Sequence, residues 1–340
     1  MGLLYYRNSC GNFGDDLNEM IWRHLLPADV LDNGEILLVG IGSIFNHTVA
    51  APSVTAGKRV FVIGSGAGYG PLPSGWREWT ILAVRGPLTA PLIKRPELSI
   101  TDAAALIANV QESRQPNRAR NDIIFMPHYH SAERGRWSEV ASKAGMIFVD
   151  PRWSVTIILK MFQQARLVMT EAMHGAIVAD ALRIPWIPLQ ACSEALSFKW
   201  QDWTLSVGLP YTPLKLPSSS AWESLCNRRV AGDRHANPKG SIASIEPNAD
   251  EMEAIIQAFH RRYSTPASPP MDSVTGRSFS PGLRRAVRGV IENIDRLSSE
   301  RAAEYLGRAS RTTPYLSEDG IFNDRLDRLS DCVSRFISAV

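Results

Sequence analysis

The sequence predicts an α/β protein: two Rossmann-like domains facing a cleft, with extra C-terminal helices. Three observations carry that expectation. Short apolar runs alternate with helical periodicity over the first two thirds of the 340 residues, the pattern of buried parallel strands covered by helices. A polar stretch at 109–118 interrupts the alternation and reads as an interdomain linker. The chain, 44% apolar and 21% charged, is long enough to bury two substantial cores.

In the first half, strands are expected at 3–6, 36–39, 60–63 and 81–84, with helical segments at 16–25 and 88–93. In the second, strands are expected at 123–126, 146–149, 166–169 and 185–188, and helices at 137–143, 154–164 and 176–182. Residues 1–110 and 119–212 therefore form the two domains. The texture then changes. Proline, glycine and polar residues at 213–220 and 231–241 read as loops, and Met252, Ile255, Ile256 and Phe259 mark a helix over 250–263, so 213–264 packs back on the rest. Prolines and serines at 265–282 form a flexible linker, and two helices occupy 283–340. Leu283, Val287, Val290, Ile291, Ile294 and Leu297 make an apolar stripe whose start is crowded by Arg284, Arg285 and Arg288. Two readings stay open: a helix packed on the N-terminal domain or a partner subunit, or a basic amphipathic helix touching the inner membrane face.

Lysine plus arginine number 37 against 34 aspartate plus glutamate, so no global field points to nucleic acid. No apolar run approaches the roughly 20 residues of a membrane helix. Met1 to Arg7 lack a secretory pattern, and Tyr6 stands where a myristoylation signal has Ser or Thr. Four scattered cysteines argue against a disulfide scaffold or metal knuckle, and for a cytoplasmic location.

The richest run is Thr170-Glu171-Ala172-Met173-His174-Gly175-Ala176, which follows an apolar strand and opens a helix. Ligands bind at such an edge because free N–H groups and the helix dipole converge there, and a histidine can move a proton near neutral pH. Capping or packing of the turn is the plainer alternative. In Asn12-Phe13-Gly14-Asp15-Asp16, one carboxylate suffices as a helix cap, and the second is free to accept a proton from a sugar hydroxyl. Arg85 in Arg85-Gly86-Pro87-Leu88-Thr89 ends a strand and offers a planar fork to a carboxylate or phosphate, unless it ties two loops together. Thr101-Asp102-Ala103-Ala104 is another strand-to-helix turn, where Asp102 reads as a cap rather than a catalyst. The glycine loops at 40–44 and 64–70 complete neither a dinucleotide fingerprint nor a Walker motif. His128, His130 and Arg152 map to the same sheet edge as His174, without a carboxylate at metal-ligand spacing, so no metal is expected. Lys199 sits among Phe198, Trp200 and Trp203, which read equally as a sugar-stacking wall or an interdomain core.

In that order and placement, Asn12-x-Gly14-Asp15, Arg85-Gly86-Pro87-x-Thr89, Asp102, Asp150-Pro151-Arg152-Trp153, Glu171-Ala172-Met173-His174-Gly175 and Lys199 resemble the polysaccharide pyruvyltransferase family. The resemblance covers about residues 1–210 and is to the ketal-pyruvyltransferase branch of bacterial exopolysaccharide biosynthesis. It implies a GT-B-like fold, phosphoenolpyruvate as co-substrate, no cofactor, and a sugar acceptor carried on a lipid. On it, His174 and Asp15 are the catalytic pair, and Asn12, Gly14, Arg85, His128, His130, Arg152, Glu171, Gly175 and Lys199 bind substrate. One departure matters: where many members carry arginine two residues before the histidine, this chain has Ala172. Arg85, Arg152 or Lys199 must then supply the missing anion contact. Two rival readings share the fold: a nucleotide-sugar glycosyltransferase, and a non-catalytic saccharide-binding or assembly protein.

Overall fold

Val60, Phe61, Val62 and Ile63 are all buried, so their strand must be covered on both faces, as a parallel sheet requires. A computed structural model describes residues 1–8, 10–46, 49–110, 120–192, 196–232, 248–263 and 281–340, with the side chains of 229–232, 262 and 281–291 left aside. The linkers expected at 109–118 and 265–282 fall largely outside the described residues.

The first sheet contains β1 (Gly2–Leu4), β2 (Ile36–Val39), β3 (Arg59–Ser65) and β4 (Thr80–Val84), parallel throughout and in chain order. Between the strands lie α1 (Phe13–Leu25), α2 (Ala28–Asp32) and α3 (Pro52–Thr55), and α4 (Thr89–Leu92) follows them. The two-residue alternation of a strand separates its faces. Ile36, Leu38, Phe61 and Ile63 share a core with Leu17 and Ile21 of α1, whereas Leu37, Val39, Val60 and Val62 pack with Phe45, Ala90 and Ile93.

The second sheet contains β5 (Asp122–Met126), β6 (Ile147–Phe148), β7 (Ala165–Thr170), β8 (Trp186–Gln190) and β9 (Leu214–Lys215), in the order β6-β5-β7-β8-β9. From β6 the chain crosses back over β5 to place β7 on its other side, so the strand order reverses between β5 and β7. In open parallel sheets, the carboxyl ends of the strands at such a reversal form a crevice. The connecting helices are α5 (Tyr129–Arg134), α6 (Trp137–Lys143), α7 (Val155–Gln164), α8 (Met173–Ala181) and α9 (Ser197–Ser206). Helices α10 (Ala221–Gly232), α11 (Ala249–Tyr263), α12 (Pro281–Ala309) and α13 (Asp319–Ala339) complete the chain.

One apolar cluster is common to both sheets. It runs from Phe61 and Ile63 through Phe13 and Leu17 of α1 to Ile124, Val168 and Trp186, and takes in Phe322, Leu329 and Phe336 of α13. Phe13 meets Phe162 of α7 with ring centroids 5.9 Å apart, and Phe336 meets Phe61 at 4.9 Å. The far face of the second sheet, Phe125, Leu167, Met169 and Ile187, packs with Trp137 of α6 and Ala302 and Leu306 of α12. The segment before α13 is fastened by paired backbone bonds between Trp186 and Tyr315, of 2.9 and 2.7 Å, and by the Ser317 N–H donating to Asp180 at 2.9 Å.

Every expected strand and helix named above has a counterpart, with ends shifted by at most three residues. β9 and α10 fall where the sequence predicts loop or no regular element. β9 is two residues between prolines 213 and 217, too short to show a period. The stripe expected on α12 is described only at its end, where Ile294 and Leu297 are exposed.

Candidate active site

Two helix N-termini converge at the carboxyl edges of the two sheets. α1 starts at Phe13 behind Asn12, and α8 starts at Met173 behind Ala172. Neither N-cap side chain caps its helix, and although the Phe13 N–H is spent on the Pro151 carbonyl at 2.7 Å, both helices bring the positive ends of their dipoles to the space between them. That space is a pocket of about 280 Å³, reached by Asn12, Gly14, Asp15, His128, His174 and Lys199, together with Ser43, Tyr69 and Tyr129.

The paired carboxylates of α1 divide their work. Asp16 accepts the Asn12 backbone N–H at 3.0 Å, which satisfies the helix start. Asp15 is left for the pocket, where the side-chain amide of Asn12 donates to it. It is only 8% exposed, and burial pushes its carboxyl up to about 6, with His174 and Lys199 pulling the other way. A carboxylate so placed exchanges protons near neutral pH.

Gly14 makes room for His174. A Cβ at Gly14 would fall 1.8 Å from His174 Nδ1, so any other residue there displaces the ring. On its other side, His174 Nε2 lies 3.8 Å from Asp102 Oδ2. Asp102 does cap the 3-10 turn Ala103–Asn109, through Oδ1 and the Ala104 N–H at 3.0 Å, but its second oxygen points at the imidazole. The sequence predicts only the cap. The strand-to-turn position of Asp102, equivalent to those of Asp15 and His174 in their own sheets, was the available signal.

Lys199, on α9, reaches the pocket and donates to the Tyr69 hydroxyl at 2.8 Å. Its aromatic neighbours are core: Phe198, Trp200 and Trp203 are buried, and Trp200 stacks on Tyr211. The sugar-stacking wall is therefore not built from them. His128, at the carboxyl end of β5, lines the pocket, whereas His130, the second residue of α5, does not.

Other expected binding residues stand elsewhere. The structure corrects the anion role of Arg85: it is fully buried, its Nε paired with Asp202 at 3.0 Å. Its remaining nitrogens donate to Ser43 Oγ and the Ala67 carbonyl, both at 2.8 Å. Asp202 also accepts the Leu88 and Thr89 N–H groups, so Arg85 ties the two loops together. Arg152 holds the Asp150 carboxylate with two bonds of 2.8 and 2.6 Å and is not among the residues lining the pocket. Glu171 is a buried clamp, accepting the His128 N–H at 3.0 Å and the Ala191 N–H at 2.6 Å rather than touching the pocket. Gly175 packs against β7, where a Cβ would lie 2.7 Å from Thr170 Oγ1. Of the three cations expected to replace the arginine missing at Ala172, Lys199 alone lines the pocket.

Among the described residues, no helix is long and apolar enough to cross a membrane. None of the four cysteines is in a disulfide. No protein-family profile matches the chain. It is 40% identical over 327 residues, 95% of each chain, to the succinoglycan biosynthesis protein ExoV of Rhizobium meliloti (strain 1021). Identity of that extent spans both sheets, the pocket and the C-terminal helices, and the chain belongs to the family of that exopolysaccharide biosynthesis protein.

Proposed function

We propose that this protein acts in exopolysaccharide biosynthesis as a ketal pyruvyltransferase. It moves the pyruvyl carbons of phosphoenolpyruvate onto two hydroxyls of one sugar in a lipid-linked repeat unit and releases phosphate. The observation that carries the reading is the pocket itself: two helix N-termini and Lys199 favour an anion, beside a histidine and a carboxylate poised at about 6. The relative's role in succinoglycan biosynthesis supports the setting. The arrangement of the two sheets about the pocket is read as GT-B-like, and the work site as the cytoplasmic face of the membrane, where the lipid presents its sugar.

The donor carries about three negative charges, which charge-assisted bonds and helix dipoles must offset. A proton delivered to the methylene carbon leaves positive charge on the neighbouring carbon. One sugar hydroxyl attacks that carbon and gives up its proton, and the second hydroxyl then displaces phosphate, whose oxygen keeps the electrons of the broken C–O bond. Two hydroxyl protons are lost: one balances the proton gained by carbon and the other leaves with phosphate. His174 serves proton transfer or phosphate contact, Asp15 takes the acceptor proton, and Lys199 with His128 holds the anion.

The test is incubation with phosphoenolpyruvate and a panel of lipid-linked oligosaccharides, reading phosphate release and acceptor mass. One phosphate per acceptor, with the mass gain of a pyruvyl ketal, is the expected result. No release with any acceptor, or consumption of a sugar nucleotide instead, overturns the reading.

A further inference from the structure

Two polar atoms of this pocket are sealed from solvent with no hydrogen-bond partner: Asp102 Oδ2 and His174 Nε2. They lie 3.8 Å from each other. An unpaired buried carboxylate oxygen is costly, and a closing shift of under about 1 Å satisfies both atoms at once. Active-site hydrogen bonds are often this long without substrate. The seat of Asp102 is rigid. It is fully buried, its Oδ1 is engaged by Ala104, and the turn it opens presses on Gly64, where a Cβ would fall 2.5 Å from the Ala103 nitrogen. His174 is the side that adjusts, in an open pocket.

We infer that Asp102 is the positioning residue of His174, holding the proton on Nε2 so that Nδ1, on the Gly14 side, is the working nitrogen. A carboxylate behind an imidazole fixes its tautomer and stabilises the cation formed when it takes up a proton. The division explains why one residue serves two neighbours: Oδ1 builds the turn and Oδ2 orients the ring. Besides His174, the titratable groups lining the pocket are Asp15 from α1, Lys199 from α9, His128 and Tyr129 at the start of α5, Tyr6 after β1 and Tyr69 after β3. Asp102 differs from them in having no exposure and in facing Nε2 directly. The kinetic part of this inference rests on the proposed role of His174; the tautomer does not.

Nitrogen-15 NMR of the full chain tests it, with the His174 signals assigned by their absence in His174→Gln. The wild type should carry its neutral proton on Nε2. A wild-type proton on Nδ1 overturns the inference before any variant is made. Asp102→Asn keeps an oxygen for the Ala104 N–H but turns an amide donor toward Nε2. It should move the proton to Nδ1. Asp102→Ser, which can cap but cannot reach, should release the ring from the Nε2 tautomer without imposing the Nδ1 one. If the pyruvyl assay is live, Asp102→Asn should cut kcat by about 10²-fold or more while the KM for phosphoenolpyruvate stays put. An unchanged tautomer in folded Asp102→Asn overturns the inference. The expected spectra without any turnover of phosphoenolpyruvate leave the pair standing and sink the proposed function instead.

Discussion

Asp15 illustrates a residue kept at a cost to the fold. Its carboxyl rises from 3.8 to about 6 on burial, so the folded chain binds a proton that the unfolded chain has released. Stability contributed by this group is complete below about pH 4 and is lost as pH rises to about 6, a difference of about 3 kcal/mol. Asp15→Asn should therefore raise the melting temperature at pH 7.5 and leave it nearly unchanged at pH 4, while transfer collapses. A variant that melts lower at both pH values would mean that the carboxylate supports the fold. In the wild type, kcat/KM should fall as pH drops through about 6, and a pH-independent rate between 5 and 7 removes Asp15 as the base. His174→Ala should cost about 10²–10⁴-fold in turnover without a comparable loss of stability, since its ring borders a pocket rather than filling a core. Retention of more than about a tenth of the activity ends that role. Asp15 was legible from sequence because two adjacent carboxylates exceed what one helix start needs. The second task of Asp102 was not, because a cap explains an aspartate fully until its other oxygen is seen.

Arg85 and Lys199 show how elements sort residues that look alike in sequence. Both sit beside a strand end or helix start that promises an anion, yet Arg85 is consumed by Asp202, a partner 117 positions away. Removing one member of a buried pair typically costs about 3–5 kcal/mol, because the other charge is left alone. Arg85→Ala should thus lower denaturant resistance by that order, and a variant of unchanged stability with a raised KM for phosphoenolpyruvate would restore the anion role. Lys199→Ala is the substitution expected to weaken the donor. A charge-assisted bond worth about 1.5–3 kcal/mol corresponds to a KM rise of roughly 10- to 150-fold. Titration of phosphoenolpyruvate against initial rate decides it, and an unchanged KM leaves Lys199 as a partner of Tyr69 only. The regular elements were readable because parallel strands buried on both faces give continuous apolar runs. Short pieces such as β9 and α5 gave no period to read.

At the scale of the whole molecule, the break at 109–118 marks a division in the chain that the apolar core does not respect. Because α1 is shared by both sheets, the halves should melt as one: calorimetry should give a single transition whose van't Hoff and calorimetric enthalpies agree. Two resolved transitions would show that the shared cluster is too weak to couple them. No periodicity in the sequence could announce this coupling, since it depends on which face of α1 meets which sheet.

Helix α13 lies against β3 and β4, with Phe336 on Phe61, although 275 residues or so of chain separate those partners. During synthesis the first sheet leaves the ribosome long before the helix that covers it, and domains ordinarily fold as they emerge. Here the part of the inner face that α13 covers, around Phe61, has to wait for a helix that begins at Asp319, exposed or held by a chaperone. A nascent chain stalled before residue 319 should bind a holdase and be cut within β3 by protease, and one that carries all of α13 should resist both. The order of manufacture thus runs opposite to the order of burial, and a nonsense mutation in α13 leaves Asp15 on a sheet with part of one face bare.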